Sequence, residues 1–285
     1  VKLRETTSSD TGHDAPQDQQ RGKQIGLIAA LAVVALVIVG GVAALNVGHD
    51  NATPTTNAPV SAPSHGDSTA TGFDVPATDV FGRRVDTPRN TAGQPLTQTG
   101  RGRTSTDPDW LTGAPVLPTQ GGWQRVAGAS VPFSTSDGPT RVADGVAAGW
   151  AHTPQGAALA AVYAGYQVNA RPGSRTVRER LIINPAKGLR EFESNKAAGR
   201  LPDQLPENLT RYFVAPDAFR IDSYAEDMAV VAIATRGVDN NGAPAWTATQ
   251  IVMVWDGGDW RLQPPPGATP PQHVISTLTG GWIKW

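Results

Sequence analysis

The sequence contains no cysteine. That absence excludes a disulfide framework, a Cys-ligated zinc site and thiol catalysis together, so an exported portion has to hold itself by packing alone. Lysine is scarce, found only at Lys2, Lys23, Lys187, Lys196 and Lys284. The formal net charge is −1, and no imbalance of sign calls for a nucleic-acid partner. In the C-terminal half only His152 and His273 occur, far apart and outside any HExxH-type metal spacing. There is no GxSxG elbow, Walker loop or GxGxxG, so the common nucleophile and phosphate-loop signatures are missing. No catalytic residue, cofactor or metal is expected, and the chain reads as non-enzymatic.

Apolar length, by contrast, is present in one place. Ile25 to Val47 (IGLIAALAVVALVIVGGVAALNV) carries no charge. A helix needs about 20 apolar residues to cross the bilayer hydrocarbon. The run is too long for a signal h-region, although Val42-Ala43-Ala44 offers a weak cleavage site. A retained anchor is therefore favoured over a cleaved signal. Arg21 and Lys23 precede the run and Asp50 follows it, which places the N-terminus in the cytoplasm and the rest outside. The expected localisation is a single-pass cell-membrane protein with membrane lipid around residues 25–47. The polar, charge-balanced tail 1–24 is expected to be disordered.

Residues 48–120 read as a linker. NATPTTNAPVSAPSHGDSTATG is too poor in large apolar groups to offset the entropy of ordering its backbone. A flexible stalk is expected, becoming ordered as it nears the domain.

The folded part is expected over 121–285, a comfortable size for one domain. Thr153-Pro154 is a helix start, with Thr as N-cap and Pro at the first helical position. Leu159, Val162, Tyr163 and Tyr166 fall on one stripe of the helix that follows. Further helices are predicted over 177–184 and 185–198. The period then changes to two. Strands are predicted over 219–224, 228–235 and 246–255, and Asp256-Gly257-Gly258-Asp259 closes a hairpin onto Trp260-Arg261-Leu262. Helices followed by an antiparallel meander imply an α+β domain. The tail His273–Trp285 is apolar enough to dock back.

That order, finishing in Trp255-Asp256-Gly257-Gly258-Asp259-Trp260-Arg261-Leu262, resembles the NTF2-like fold, a cone of helices packed on a curved antiparallel sheet. With a short tail, one span and an exported domain, the layout looks like the VirB8-type inner components of conjugative type IV secretion channels. Gly138-Pro139-Thr140-Arg141-Val142, followed by Gly149-Trp150-Ala151-His152-Thr153-Pro154-Gln155-Gly156-Ala157, is similar to an uncharacterised family of actinobacterial membrane-anchored proteins found on integrative conjugative elements. Neither resemblance brings a catalytic assignment. The long stalk departs from compact VirB8-type proteins.

Candidate site residues are few. An enzyme or binding cone would set a carboxylate and tyrosines in an apolar cavity, where burial raises the acid's pKa. Tyr163, Tyr166 and Asp222 are the residues able to do so. The plainer expectation is that the tyrosines are core and that Asp222, opposite the apolar face of its strand, meets water. His152 is expected to hydrogen-bond at the helix entrance rather than catalyse. The basic stretch from Arg171 to Arg200 reads more readily as a solvated helix face than as a patch for lipid or DNA. Trp282 and Trp285 are candidates for an exposed protein contact, since Trp is favoured at interface hot spots; a docked tail accounts for them equally well.

The reading that follows is a membrane-anchored scaffold of a cell-envelope complex, most consistent with a conjugative secretion channel. Its expected partners are other envelope subunits or copies of itself. The alternative is an exported module that captures a small molecule or lipid. A cell-wall interaction protein is the third. A deep apolar cavity open to solvent would favour capture, whereas an interior plugged by side chains and the C-terminal tail would favour the scaffold.

Overall fold

The computed structural model describes residues 70–267 and 269–285. The predicted span 25–47, the tail 1–24 and the first part of the linker lie outside the described residues. Among the described residues no helix is long and apolar enough to cross a membrane.

Strand formation begins well inside the expected linker. β1 (Phe73–Thr78) and β2 (Arg84–Pro88) pair antiparallel, and β2 meets β3 (Trp123–Val126) in parallel through Asp86 and Gln124. β3 turns into β4 (Ala129–Pro132), completing a four-stranded sheet. A two-stranded ribbon, β5 (Arg141–Ala143) and β6 (Val146–Ala148), follows.

Helix α1 (Pro154–Ala170) starts where Thr153 accepts the Gly156 N–H at 2.9 Å and Pro154 supplies a preset φ. Ala157, Ala158, Ala160, Ala161 and Ala164 are all buried. Small residues around its whole circumference let α1 be covered on every side. Two short helices, α2 (Arg175–Leu181) and α3 (Leu189–Ala197), and a single turn, α4 (Glu207–Thr210), lead to the second sheet. Ser174 caps α2 by accepting the Val177 N–H. Pro185 falls in the turn before α3 rather than within its first turn.

The second sheet has six strands in the order β10 (Asp259–Gln263), β9 (Pro244–Asp256), β8 (Met228–Val238), β7 (Ala218–Tyr224), β12 (Ile283–Lys284), with β11 (Gln272–Ile275) also on β9. Asp239 accepts the N–H groups of Asn241 and Ala243, closing the β8–β9 turn. Gly257 and Gly258 both have positive φ, the requirement of a tight hairpin, and close β9 onto β10.

The cone expectation is overturned. Sheet outweighs helix among the described residues, and the helices build no cone. The long helix is not laid on one open sheet. It lies between two, packing on β7–β10 on one side and on β4 on the other. The disordered-stalk expectation fails over 73–120 for a related reason. The strands there are short, but β2 finds its partner β3 far along the chain through Asp86 and Gln124, and Val85 and Ala92 are buried.

Candidate functional site

An opening with a volume of about 730 Å³ lies between α1 and the second sheet, the size of a small-molecule site. Its floor follows from strand register. Ile233 opposes Thr249 and Thr235 opposes Thr247, and period-two alternation sends these four to one face together with Ile251. The roof is α1, where Ala161 and Gly165 leave room. A Cβ on Gly165 would stand 3.6 Å from Ile251 Cδ1, in ordinary contact and without strain. Val177 of α2 and Phe192 of α3 close one side.

The other side is closed by a proline strap. β10 pairs with β9 over 252–256 and β11 pairs over 246–249, both on the same edge. The segment between them leaves the sheet and lines the cavity through Pro264, Pro265, Pro266, Pro270 and Pro271. Prolines donate no N–H to a ladder, so this stretch cannot continue along β9. The Gln250 N–H donates to the Pro271 carbonyl at 2.9 Å and fastens the strap's far end.

The predicted pocket residues separate. Tyr166 lines the cavity, stacks on Phe213 and donates its hydroxyl to the Val214 carbonyl at 2.7 Å. Burial pushes its pKa up to about 12. Tyr163 does not reach the cavity. It is fully buried against Phe133 and Trp150, and its hydroxyl accepts the Ala147 N–H at 2.8 Å. Asp222 is exposed elsewhere, held by Arg220 Nε at 2.6 Å and by Gln250 Nε2 at 3.3 Å. The three residues do not converge, and no carboxylate–tyrosine site forms.

The tryptophans of the tail are docked. Trp285 packs on Phe219 with ring centroids 4.4 Å apart and on Trp123 at 5.6 Å. Trp282 lies under the Arg220 guanidinium at 5.0 Å. His152 stacks on Trp255 at 4.0 Å, and its Nε2 meets the Glu226 carbonyl. Three cations of the basic stretch stand in exposed ion pairs: Arg175 with Glu179 and Glu193, Arg180 with Asp144, and Lys196 with Asp203. A solvated face accounts for these charges.

Arg171 behaves differently. It caps α1, lines the cavity, and donates Nη1 to the Gly145 carbonyl at 3.0 Å. Its Nε and Nη2 are buried without a hydrogen-bond partner, and burial lowers its pKa. Among the described residues no metal-binding cluster of His, Cys, Asp or Glu occurs.

Both sequence motifs meet at the mouth of α1. Asp259 of the hairpin accepts the Gly149 N–H at 2.6 Å and the Trp150 N–H at 3.2 Å, while Trp260 Nε1 donates to the Ala151 carbonyl at 2.9 Å. Gly138 has φ +90°, and a Cβ there would come within 2.6 Å of the Gly149 carbonyl. The motif glycines thus permit the close crossing of two chain segments.

The family described as a domain of unknown function, DUF8175, matches residues 86–284. The chain belongs to that family. No curated protein and no solved structure matches it. The DUF8175 region takes in β3–β6 and the ordered stretch between Pro88 and Trp123 as well as the helices and the second sheet, so it crosses the expected linker boundary at 120. The cavity lies wholly within it. Arg171 and Gly165 carried no sequence signal beyond a basic stretch and a small residue. The strap did have one: three consecutive prolines directly after a strand mark a chain leaving its sheet.

Proposed function

We propose that this DUF8175 domain is a non-enzymatic capture module that holds a small apolar or lipid-like molecule between α1 and the β8–β9 face. The observation that supports it is the cavity itself, about 730 Å³ with a wall surface that is mostly apolar. The C-terminal tail bears on the choice between capture and scaffold. It docks on the β7 edge through Ile283 and Phe219 and supplies no residue to the cavity lining. The interior is open rather than plugged, which favours capture over the envelope-scaffold reading. The apolar run 25–47 supports a membrane anchor, and a tethered capture module would sample lipid released at the bilayer surface.

Photolabelling of the full chain in vesicles tests the reading. A neutral long-chain alcohol bearing a diazirine should form adducts on α1 and β9. The Gly165→Phe variant, whose ring would wedge between α1 and Ile251 and obstruct the cavity, should abolish those adducts and spare any on residues 25–47. Adducts confined to 25–47, or unchanged by the obstructed cavity, would sink the proposal.

A further inference from the structure

The cavity has two unlike ends. At the mouth of α1, Trp260 Nε1 donates to the Ala151 carbonyl at 2.9 Å, and further along Gly165 faces Ile251. Helix α1 therefore sets out from the β9–β10 hairpin and runs toward the start of β9. Its inward stripe, Ala161 and Gly165, continues one turn on as Asn169, and all three line the cavity. Beyond Ile251 the inward positions of β9 are Thr249 and Thr247, with Thr235 opposite Thr247. The half nearer the hairpin is aliphatic, with Val162, Ile251 and Leu262. The far half sets one amide against three hydroxyls.

Those polar groups have capacity to spare. Asn169 is 9 % exposed, and its Nδ2 donates to the Gly165 carbonyl at 2.7 Å. That bond fixes which way the amide points. Its Oδ1 has no partner among the described residues and is not sealed from solvent. The Thr247 hydroxyl is in the same condition, and Thr249 Oγ1 accepts Gln272 Nε2 at 3.1 Å. No uncommitted charge stands with them. Arg236 is bound to Asp217, Nη2 to Oδ2 at 2.9 Å. Arg178 turns to the Pro185 and Lys187 carbonyls, and Glu191 is exposed. Arg171 turns to the Gly145 carbonyl and the Tyr163 hydroxyl, where its remaining nitrogens are sealed from solvent. An ionic head seated at this end would lose its water with no opposite charge to replace it. A hydroxyl both donates and accepts, so it can give its proton to Asn169 Oδ1 and receive the Thr247 O–H. Resting on the capture reading, we infer that the ligand is an uncharged amphiphile whose hydroxyl head is held by Asn169 and Thr247, with its hydrocarbon running past Gly165 toward Leu262.

Matched diazirine probes differing only in head group test this on the full chain in vesicles, each dosed by its mole fraction in the bilayer. They end in hydroxyl, glyceryl ester, methyl, carboxylate or trimethylammonium, and only labelling removed by Gly165→Phe is scored. A hydroxyl-bearing probe should reach half-labelling at about tenfold lower dose than the methyl-ended one, the worth of one or two hydrogen bonds. Both charged probes should trail it. The simple alcohol leading points to a long-chain alcohol, and the glyceryl ester leading to a monoacylglycerol. Thr247→Val, which strips one partnerless hydroxyl, and Asn169→Leu should each cut the hydroxyl advantage while methyl-ended labelling persists. If Asn169→Leu loses methyl-ended labelling as well, Thr247→Val decides. Equal labelling by hydroxyl and methyl heads, a charged probe in the lead, or an advantage that survives both substitutions overturns the hydroxyl ligand and leaves capture standing. Absence of cavity adducts from every probe overturns both.

Discussion

Asp259 accepts the backbone N–H of Gly149 at 2.6 Å across 110 residues of chain. The same carboxylate accepts Trp150 N–H at 3.2 Å and Trp260 N–H at 3.1 Å. One side chain thereby ties the entrance of α1 to the β9–β10 hairpin. Asp259→Ala would leave three N–H groups without their acceptor. It should cost about 2–3 kcal/mol, read as a lower urea midpoint with an unchanged slope. An unaltered midpoint would mean that water replaces the carboxylate without loss.

The same residue predicts a pH dependence. Burial raises the Asp259 pKa above its ordinary 3.8, outweighing the three N–H donors and Arg141. On raising the pH, the unfolded chain therefore loses this proton before the folded one does. The unfolded state holds fewer protons in that window, so stability falls as pH rises. The Asp259 contribution is complete below 3.8 and lost once pH passes the folded pKa. Asp259→Asn removes the titration. The stability difference between wild type and this variant should shift against the wild type as pH climbs from about 4. A difference that stays flat across the window would contradict the assignment.

Sequence alone does not distinguish Trp282 from Trp285 as candidate contacts, and the structure separates their roles. Trp285 packs between Phe219 and Trp123 and joins the core. Trp285→Ala should cost about 2–4 kcal/mol, slightly below a fully buried tryptophan. Trp282 offers one cation–π contact with Arg220 at 5.0 Å, worth about 0.5–1 kcal/mol at an exposed site. Paired thermal melts of Trp282→Ala and Trp285→Ala decide this. If Trp282→Ala proves the more damaging, the tail is not docked as described.

The portions legible in sequence share one property: their signal is local. The Thr153-Pro154 helix start and the Asp256–Asp259 hairpin carry their chemistry within a few residues, and each forms where predicted. The missed portions depend on long-range pairing. β1 contains Pro76 and a register shift between Asp74 and Ala77, features of an edge strand that break the period-two pattern. β2 joins β3 through Asp86 and Gln124, with Gln124 Nε2 donating to the Gln94 carbonyl at 2.8 Å. Composition over 73–120 cannot reveal that partnership. The cavity was illegible for another reason: it is a distance between a helix and a sheet, set by what Gly165 and Ala161 omit rather than by any side chain present.

The first β-ribbon is fastened to the second sheet mainly through Asp217. That carboxylate accepts Arg83 Nη1 at 2.9 Å, Arg236 Nε at 3.0 Å and Trp246 Nε1 at 2.7 Å. Arg83 is anchored in turn by Asp79, Nε to Oδ2 at 2.8 Å. Phe81 lies beneath both guanidinium groups, at 5.4 and 5.5 Å. Asp217→Ala would release Arg83 and Arg236 together and leave the Trp246 indole N–H without its acceptor. Because both arginines are partly solvated, the loss should be about 2 kcal/mol rather than the larger figure for a fully buried network. The effect should also be regional, since β1 borders only β2 in its sheet. Limited trypsin digestion should cut faster after Arg83 and Arg84 in the variant, while sites within 154–263 keep their wild-type protection. Asp217→Asn, which preserves an acceptor for Trp246 without the charge, should fall between the two. Equal acceleration at every site would instead show that Asp217 supports the whole fold, and the ribbon would not be a separately releasable element.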